Sequence, residues 1–485
     1  MKISELEPKQ VFKFFEEILQ IPRPSKKEEK IIQYLIDFAK ERNLDYKVDK
    51  VGNVLISKPA TKGYENRHTV ILQSHVDMVT EKDTSVEHNF ETDPIQAYVD
   101  GEWVKSKGTT LGADDGIGVA AALAILDADN LEHGPIEALF TIDEETGLTG
   151  AFALEPGFMS GKILINLDSE DWGEIFIGSA GGMDTQAEFH YDPKPAPEGI
   201  AYKILIDDLH GGHSGDEIDK GYANANKLLT RFLVKLLYEM PYALAHFHGG
   251  KLRNAIPRDA YAIIILRPED EDILKDMHAK YLKIFKDEYG KIEPNLKFEI
   301  EKTEKPNLIV DDNVAQAFLL ALYACPHGVY SWSKEIEGLV ETSTNLATVR
   351  TEPGKITVGT SQRSSKESAK DDIAMMVKSV FLLAGAEVSH SDGYPGWAPN
   401  LDSPILKVTV DAYKRLFGEE PKVRAIHAGL ECGLFLEKYP WLDMVSIGPT
   451  IKGAHTPEEK LHIPSTQQFW QLLLEVLKNI PVREK

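Results

Sequence analysis

The chain of 485 residues has only two cysteines, Cys325 and Cys432. Two thiols cannot build a disulfide framework, and such sparing use fits a reducing compartment. Long apolar stretches are missing too: the longest, residues 117–126, is half the ~20 residues that a membrane-spanning helix requires. The opening residues, MKISELEPKQVFKFFEEIL, are charged throughout and lack the apolar core of a secretory signal. A soluble, cytoplasmic protein is therefore expected. Positive charge is scarce, with 54 Lys and Arg against 77 Asp and Glu and a net charge of -23. Nucleic acid and anionic membrane surfaces demand clustered Lys and Arg, so neither is an expected partner. No repeat, low-complexity tract or Pro/Ser linker interrupts the chain. What it does have is 42% hydrophobic residues, enough for packed cores over the roughly two to four domains that the length suggests.

Residues 8–20 and 26–43 carry helical apolar spacing and are separated by Pro22 and Pro24. β-rich runs follow at 51–57 and 68–75, a helix starts near Asp114, and apolar strand-like runs occupy 136–142 and 162–168. That alternation predicts a largely parallel α/β sheet. Beyond the glycines of 178–182 the pattern changes to strands over 183–206, a helix over 219–239, a strand over 258–266 and a helix over 268–288. Strands at 339–351 and 355–361 and a helix at 366–384 complete this part. The tail returns to α/β, with helices at 404–417, 429–438 and 464–479 and strands near 421–426 and 443–448. The expected architecture is an α/β catalytic domain made from 1–182 and 393–485, with a mixed, mostly parallel sheet. An α+β domain is inserted at 183–392.

Acidic and histidine motifs gather at the predicted strand ends of the two terminal segments. In SHVD, His75 and Asp77 are two apart on a strand and so point to the same side. A metal-bound imidazole commonly gives its other N–H to a carboxylate, and this pair supplies both partners locally. GTTLGADDG places Asp114 and Asp115 at the mouth of a helix. Capping explains one such aspartate more economically than two. FTIDEETG gathers Asp143, Glu144 and Glu145 where a buried strand ends. Carboxylates this close raise one another's pKa unless a cation neutralises them. One of the pair Glu144 and Glu145 could then bind the cation while the other acts as a base; spacing does not say which. Asp168 ends the run ILINLDSE, and His455 stands in the loop GAHTPEE before the last helix. Ligands of open α/β sheets bind beyond the carboxyl ends of the strands, where all these groups fall. Two His and several carboxylates without a ligand Cys suit zinc, manganese or cobalt. More carboxylates are present than one tetrahedral ion can use, which favours a two-metal hydrolase.

These motifs resemble those of the zinc aminoacyl-histidine dipeptidases, the Xaa-His type, within the wider group of co-catalytic zinc exopeptidases and deacylases. Longer runs carry the likeness: HNFETDPI, GTTLGADDGIGVA, HGPIEALFTIDEETGLTGAFAL, LINLDSEDWGEIFIGSAGG, GGHSGDEI and RNAIPRDA. The resemblance implies a split catalytic domain with an inserted lid domain that mediates homodimerisation. It implies two Zn2+ per chain, with Mn2+ or Co2+ as substitutes. Asp114 would bridge them, His75 and Asp168 completing one site and Glu145 and His455 the other. It further implies Asp77 as the carboxylate that orients His75, and Glu144 as general base on a metal-bridging hydroxide. His213, Asn254 and Arg363 of the insert would bind substrate. The implied substrate is a dipeptide with a free N-terminus, such as β-alanyl-histidine, with broader dipeptides also possible.

Two motifs point elsewhere and fail. Residues 116–121 match G-x-G-x-x-A, but Asp114 and Asp115 occupy the helix entrance where a pyrophosphate would sit. Residues 212–215, Gly-His-Ser-Gly, fall one position short of the G-x-S-x-G elbow. Removal of an acyl group, cleavage of tripeptides and a non-catalytic metal module are the rival readings. An intact Glu144 argues against the last. Glu431 and His427 in IHAGLECG are left without a role, either being able to cap the helix at 429–438.

Overall fold

The computed structural model describes residues 2–483 and divides into two compact units. One comprises the chain up to Gly178, Trp397–Ala425 and the chain from Leu430 on; the other is Ser179–Gly396 with Ile426–Gly429. The sequence reading put the boundaries after 182 and before 393, and it gave no hint that residues 426–429 leave the first unit.

The first unit is built on an eight-stranded sheet. At its centre, Ile136–Thr141, Val70–His75, Ile163–Asn166 and Asp443–Ser446 lie side by side and parallel. All residues of Ile136–Thr141, Val70–His75 and Ile163–Asn166 are buried, which is why their apolar residues cluster and do not strictly alternate with polar ones. Val54–Lys58 and Asp45–Val48 add an antiparallel edge. The helix Ala113–Asp127 is apolar on every side and is buried from Ala113 through Leu126. A small four-stranded sheet pairs Lys460–His462 with Trp103–Ser106. It sets the loop before the buried helix beside the loop that carries His455.

The second unit is a nine-stranded sheet whose paired strands run antiparallel, from Lys297–Lys302 at one edge to Glu387–His390 at the other. Helices Ala225–Leu237, Glu271–Tyr289, Asp312–Ala324 and Glu367–Leu383 contribute to its core around Phe189, Phe232, Phe247 and Phe318. Strands Ala243–Gly249 and Lys297–Lys302 and the helix Asp312–Ala324 were not foreseen from the sequence. No described helix is long and apolar enough to cross a membrane.

Candidate metal centre

Val70–His75 and Ile136–Thr141 end level with one another and Ile163–Asn166 ends opposite Gln73, so the chemistry sits at or just past the three strand ends. His75 is the last residue of its strand, Asp77 follows by two, Asp143 to Glu145 follow Thr141, and Asp168 follows Asn166 by two. Parallel pairing therefore delivers one ligand-bearing loop per strand to the same edge. His455 comes from the far end of the chain, in a turn where its own φ is +63°.

The seven residues singled out in this unit converge. Nε2 of His75 lies 3.0 Å from Oδ1 of Asp114 and 3.4 Å from Oδ1 of Asp168. Nε2 of His455 lies 3.0 Å from Oδ2 of Asp114 and 3.0 Å from Oε2 of Glu145. The two oxygens of Asp114 thus face different histidines. An imidazole nitrogen carries at most one proton, yet each of these nitrogens meets two carboxylates. Two ligand atoms on one tetrahedral ion at ~2.0–2.1 Å are separated by ~3.3 Å, which is the spacing of these pairs. Potential ligand atoms of His75, Asp114 and Glu145 all lie within 4.8 Å of one another. The donor set fits a pair of divalent cations.

Charge tells the same story. Burial raises the Asp168 carboxyl to about 8, His75 opposing and Asp114 adding to the rise. Burial raises Glu144 well above the ordinary glutamate range, Asp168, Glu145 and Glu431 adding to the rise against His75. Glu145 is raised by burial too. Burial would lower His75, but Asp168, Asp114 and Asp77 reverse this and hold it well above its usual value. His455, hydrogen-bonded to Asp114 and Glu145, is pushed up to about 11. So many half-neutralised carboxylates in one place are what a bound cation relieves.

Asp77 is fully buried and organises the edge. Its Oδ1 lies 3.3 Å from Nδ1 of His75 and accepts from the Glu144 amide at 3.0 Å. Its Oδ2 accepts from Ser25 Oγ at 2.7 Å and the Glu145 amide at 3.3 Å. One carboxylate therefore fixes His75 and the start of the Glu144–Gly147 turn together.

Several groups here escaped the sequence reading. Glu431 does not cap its helix; it is 1% exposed and its Oε2 accepts from Gln73 Nε2 at 2.7 Å and Thr141 Oγ1 at 2.9 Å. It thus ties the strand that ends in His75 to the neighbouring strand that leads into Asp143–Glu145. Arg23, between two prolines, donates to the carbonyls of Val76, Asp77 and Gly112. A Cβ on Gly112 or Gly116 would stand 2.6 Å from Arg23 Nη2, and one on Gly118 would meet the Asp115 carboxylate. The glycines that mimic a dinucleotide fingerprint make room for Arg23 and Asp115. No spacing rule could have revealed the part played by Arg23, because it is distant in sequence from the glycines that make room for it.

In the inserted unit, Asn254 and Arg363 line one cleft of about 390 Å³ together with Arg253, Asp184 and Tyr394. Arg363 is 7% exposed and donates from Nη1 to Tyr394 Oη at 2.8 Å. His213 is not part of that lining; its Nδ1 accepts from the amides of Gly215 and Asp216. His427 belongs to this unit and sits 2.7 Å from Ser343 Oγ through Nε2, so it caps no helix either.

Comparison with known proteins agrees with the geometry. The chain is 44% identical over 483 residues to the cytosol non-specific dipeptidase of Escherichia coli (strain K12), covering 99% of this chain and 100% of that one. It superposes on the crystal structure of aminoacylhistidine dipeptidase from Vibrio alginolyticus with a TM-score of 0.92 at 46% identity, covering 100% of this chain and 99% of that one. A tripeptidase from Staphylococcus aureus shares the fold, with a TM-score of 0.57 at 17% identity over 98% of this chain and 99% of that one. The model of peptidase family M20/M25/M40 matches residues 71–479, and the chain belongs to that family.

Proposed function

We propose that this protein is a metal-dependent dipeptidase that hydrolyses dipeptides with a free N-terminus, Xaa-His dipeptides such as β-alanyl-histidine among them. The observation that carries the reading is the split of Asp114, one oxygen toward His75 and the other toward His455, with Glu144 beside them on the Asp77 anchor. In this reading Asp114 would be shared by two cations, with His75 and Asp168 holding one and Glu145 and His455 the other. Zinc is the proposed metal, with Mn2+ or Co2+ as substitutes. The ions, when bound, supply Lewis acidity that polarises a peptide carbonyl and makes water acidic enough to be deprotonated near neutral pH.

Glu144 takes that proton and later returns it to the leaving amine. A base whose pKa lies near the working pH both accepts and releases a proton readily. Asp77 holds the His75 ring so that Nε2 is free to ligate. Substrate recognition is assigned to the inserted unit. Arg363 matches a carboxylate with a planar fork, Asn254 offers an amide, and His213 offers an N–H to a developing oxyanion. The same unit is the proposed homodimer contact, and the cytosol the proposed location.

The test is hydrolysis of a matched panel by zinc-reconstituted protein with a chelated control: β-alanyl-histidine, leucyl-glycine, a tripeptide and an N-acetyl amino acid. Chelator-sensitive cleavage of the dipeptides alone supports the proposal. Cleavage of the acetylated compound alone refutes the substrate class while leaving the metal centre standing.

A further inference from the structure

A carboxylate that the reaction itself does not use ties the metal centre together, and the argument rests on the metal-centre reading above. Glu459 lies four residues after His455 and is 3% exposed. Its Oε2 accepts from the amides of Leu111 at 2.8 Å and Gly112 at 3.0 Å. Its Oε1 accepts from the amides of Ala113 at 2.8 Å and Asp114 at 3.2 Å. These four consecutive donors straddle the start of the helix Ala113–Asp127, whose first main-chain N–H groups lack intrahelical partners. An ordinary cap satisfies one or two of them from a neighbouring residue. Here one side chain, more than 340 positions away in sequence, satisfies all four.

The opposite side of the same segment is held as well. Arg23, 2% exposed, donates from Nη2 to the Gly112 carbonyl at 2.5 Å and from Nη1 to the carbonyls of Val76 at 2.9 Å and Asp77 at 3.0 Å. The Asp114 loop is therefore gripped by a carboxylate on its N–H groups and a guanidinium on a carbonyl. That guanidinium also holds the chain just past His75. Each grip joins Asp114 to a segment bearing one of the two histidines that face it.

We propose that Glu459 is a positioning residue of the metal centre: it fixes the backbone of Asp114 against the loop of His455, so that the bridging carboxylate is aimed before any cation arrives. A plain helix cap would make a different prediction. Losing a cap lowers stability and leaves metal affinity alone; losing a positioning group weakens metal binding in a protein that still folds.

The experiment compares wild type and Glu459→Gln, each stripped of metal and checked by circular dichroism and thermal unfolding. Zinc affinity is read by chelator competition, and the ligand field by the visible spectrum of the Co2+ form. Glutamine is isosteric, but its NH2 replaces one oxygen and confronts two of the four amides. The expected result is folded protein with zinc affinity weakened about 10–100-fold, the range for losing a group that orients metal ligands, and an altered Co2+ spectrum. Wild-type affinity and spectrum in Glu459→Gln would overturn the inference, whatever its melting temperature. If that variant does not fold, Glu459→Asp, which keeps both acceptors one methylene short, is judged by the same two readouts. A wild-type protein that binds no divalent cation would instead overturn the metal-centre reading on which the inference stands.

Discussion

Asp77→Asn is the substitution whose consequences the structure specifies most closely. Four donors meet the two oxygens of Asp77: His75 Nδ1 and the Glu144 amide at Oδ1, Ser25 Oγ and the Glu145 amide at Oδ2. An asparagine keeps one acceptor and introduces two N–H donors. With the amide nitrogen at the Oδ1 position, it faces His75 and the Glu144 amide, and the ring must turn its proton onto Nε2 to accept. That tautomer is useless for ligation. At the Oδ2 position it faces Ser25, whose hydroxyl can rotate and accept, and the Glu145 amide, which cannot. The second orientation is the cheaper, and it leaves one backbone N–H unpaired, at a cost of about 1–3 kcal/mol. In the proposed centre it also removes the anion that would make His75 a better ligand, worth about 10–100-fold in metal affinity. Ser25→Ala is the internal control, because it removes one donor and leaves the carboxylate in place, costing about 0.5–1.5 kcal/mol. Three measurements on both variants check this: zinc affinity by chelator competition, kcat/KM on a dipeptide, and hydrogen exchange at the amides of Glu144 and Glu145. The expected order is wild type, then Ser25→Ala close behind, then Asp77→Asn one to two decades weaker with a faster-exchanging Glu145 amide. Equal zinc affinity in the two variants would refute the reasoning, since it would mean that the carboxylate adds nothing to His75.

Two further outcomes follow from the geometry. Glu144→Gln should keep both cations while kcat falls about 10²–10⁴-fold, the usual contribution of a general base; metal analysis beside steady-state kinetics checks it, and unchanged turnover would remove Glu144 from that role. Acid should destabilise the inserted unit through His327 and His427, each of which burial lowers to about 3, with Lys227 and Arg363 respectively adding to the effect. The unfolded chain takes up these protons near pH 6.5 while the fold refuses them, so stability is full above pH 6.5 and declines below it, by roughly 1.4 kcal/mol per histidine at pH 5.5. Urea unfolding of the protein between pH 7.5 and 5.5 should show that slope, and His427→Asn should remove about half of the combined decline, about 1.4 kcal/mol at pH 5.5.

The parts of this protein that were legible in its sequence share one property: cause and consequence lie within a few residues. Strand Val70–His75 announces itself by an apolar run, and His75 and Asp77 share a face because they are two apart. The meeting of His75, Glu145 and Asp168 was inferable because strand ends of a parallel sheet meet at one edge, whereas Asp114 and His455 reach that edge from the small four-stranded sheet. Spacing could not choose between Glu144 and Glu145. His455 Nε2 lies 3.0 Å from Glu145 Oε2, and the proposal of Glu145 as ligand and Glu144 as base rests on that contact. What stayed hidden are groups whose partners are far away in the chain. Arg23 looks like a basic residue between prolines until three carbonyls from two other segments surround it. Glu431 and His427, four residues apart, were equivalent candidates for capping one helix. Instead Glu431 turns into the sheet toward Gln73 and Thr141, while His427 belongs to the other unit and meets Ser343. A short glycine-bearing stretch thus sends side chains four residues apart to two separate units. Glu459 is the sharpest case. Beside Glu458 it reads as part of a solvated acidic turn, yet four amides at the mouth of a distant helix make it an internal anion. Local pattern reports which chemistry a chain carries; the alignment of that chemistry depends on contacts that only the fold creates.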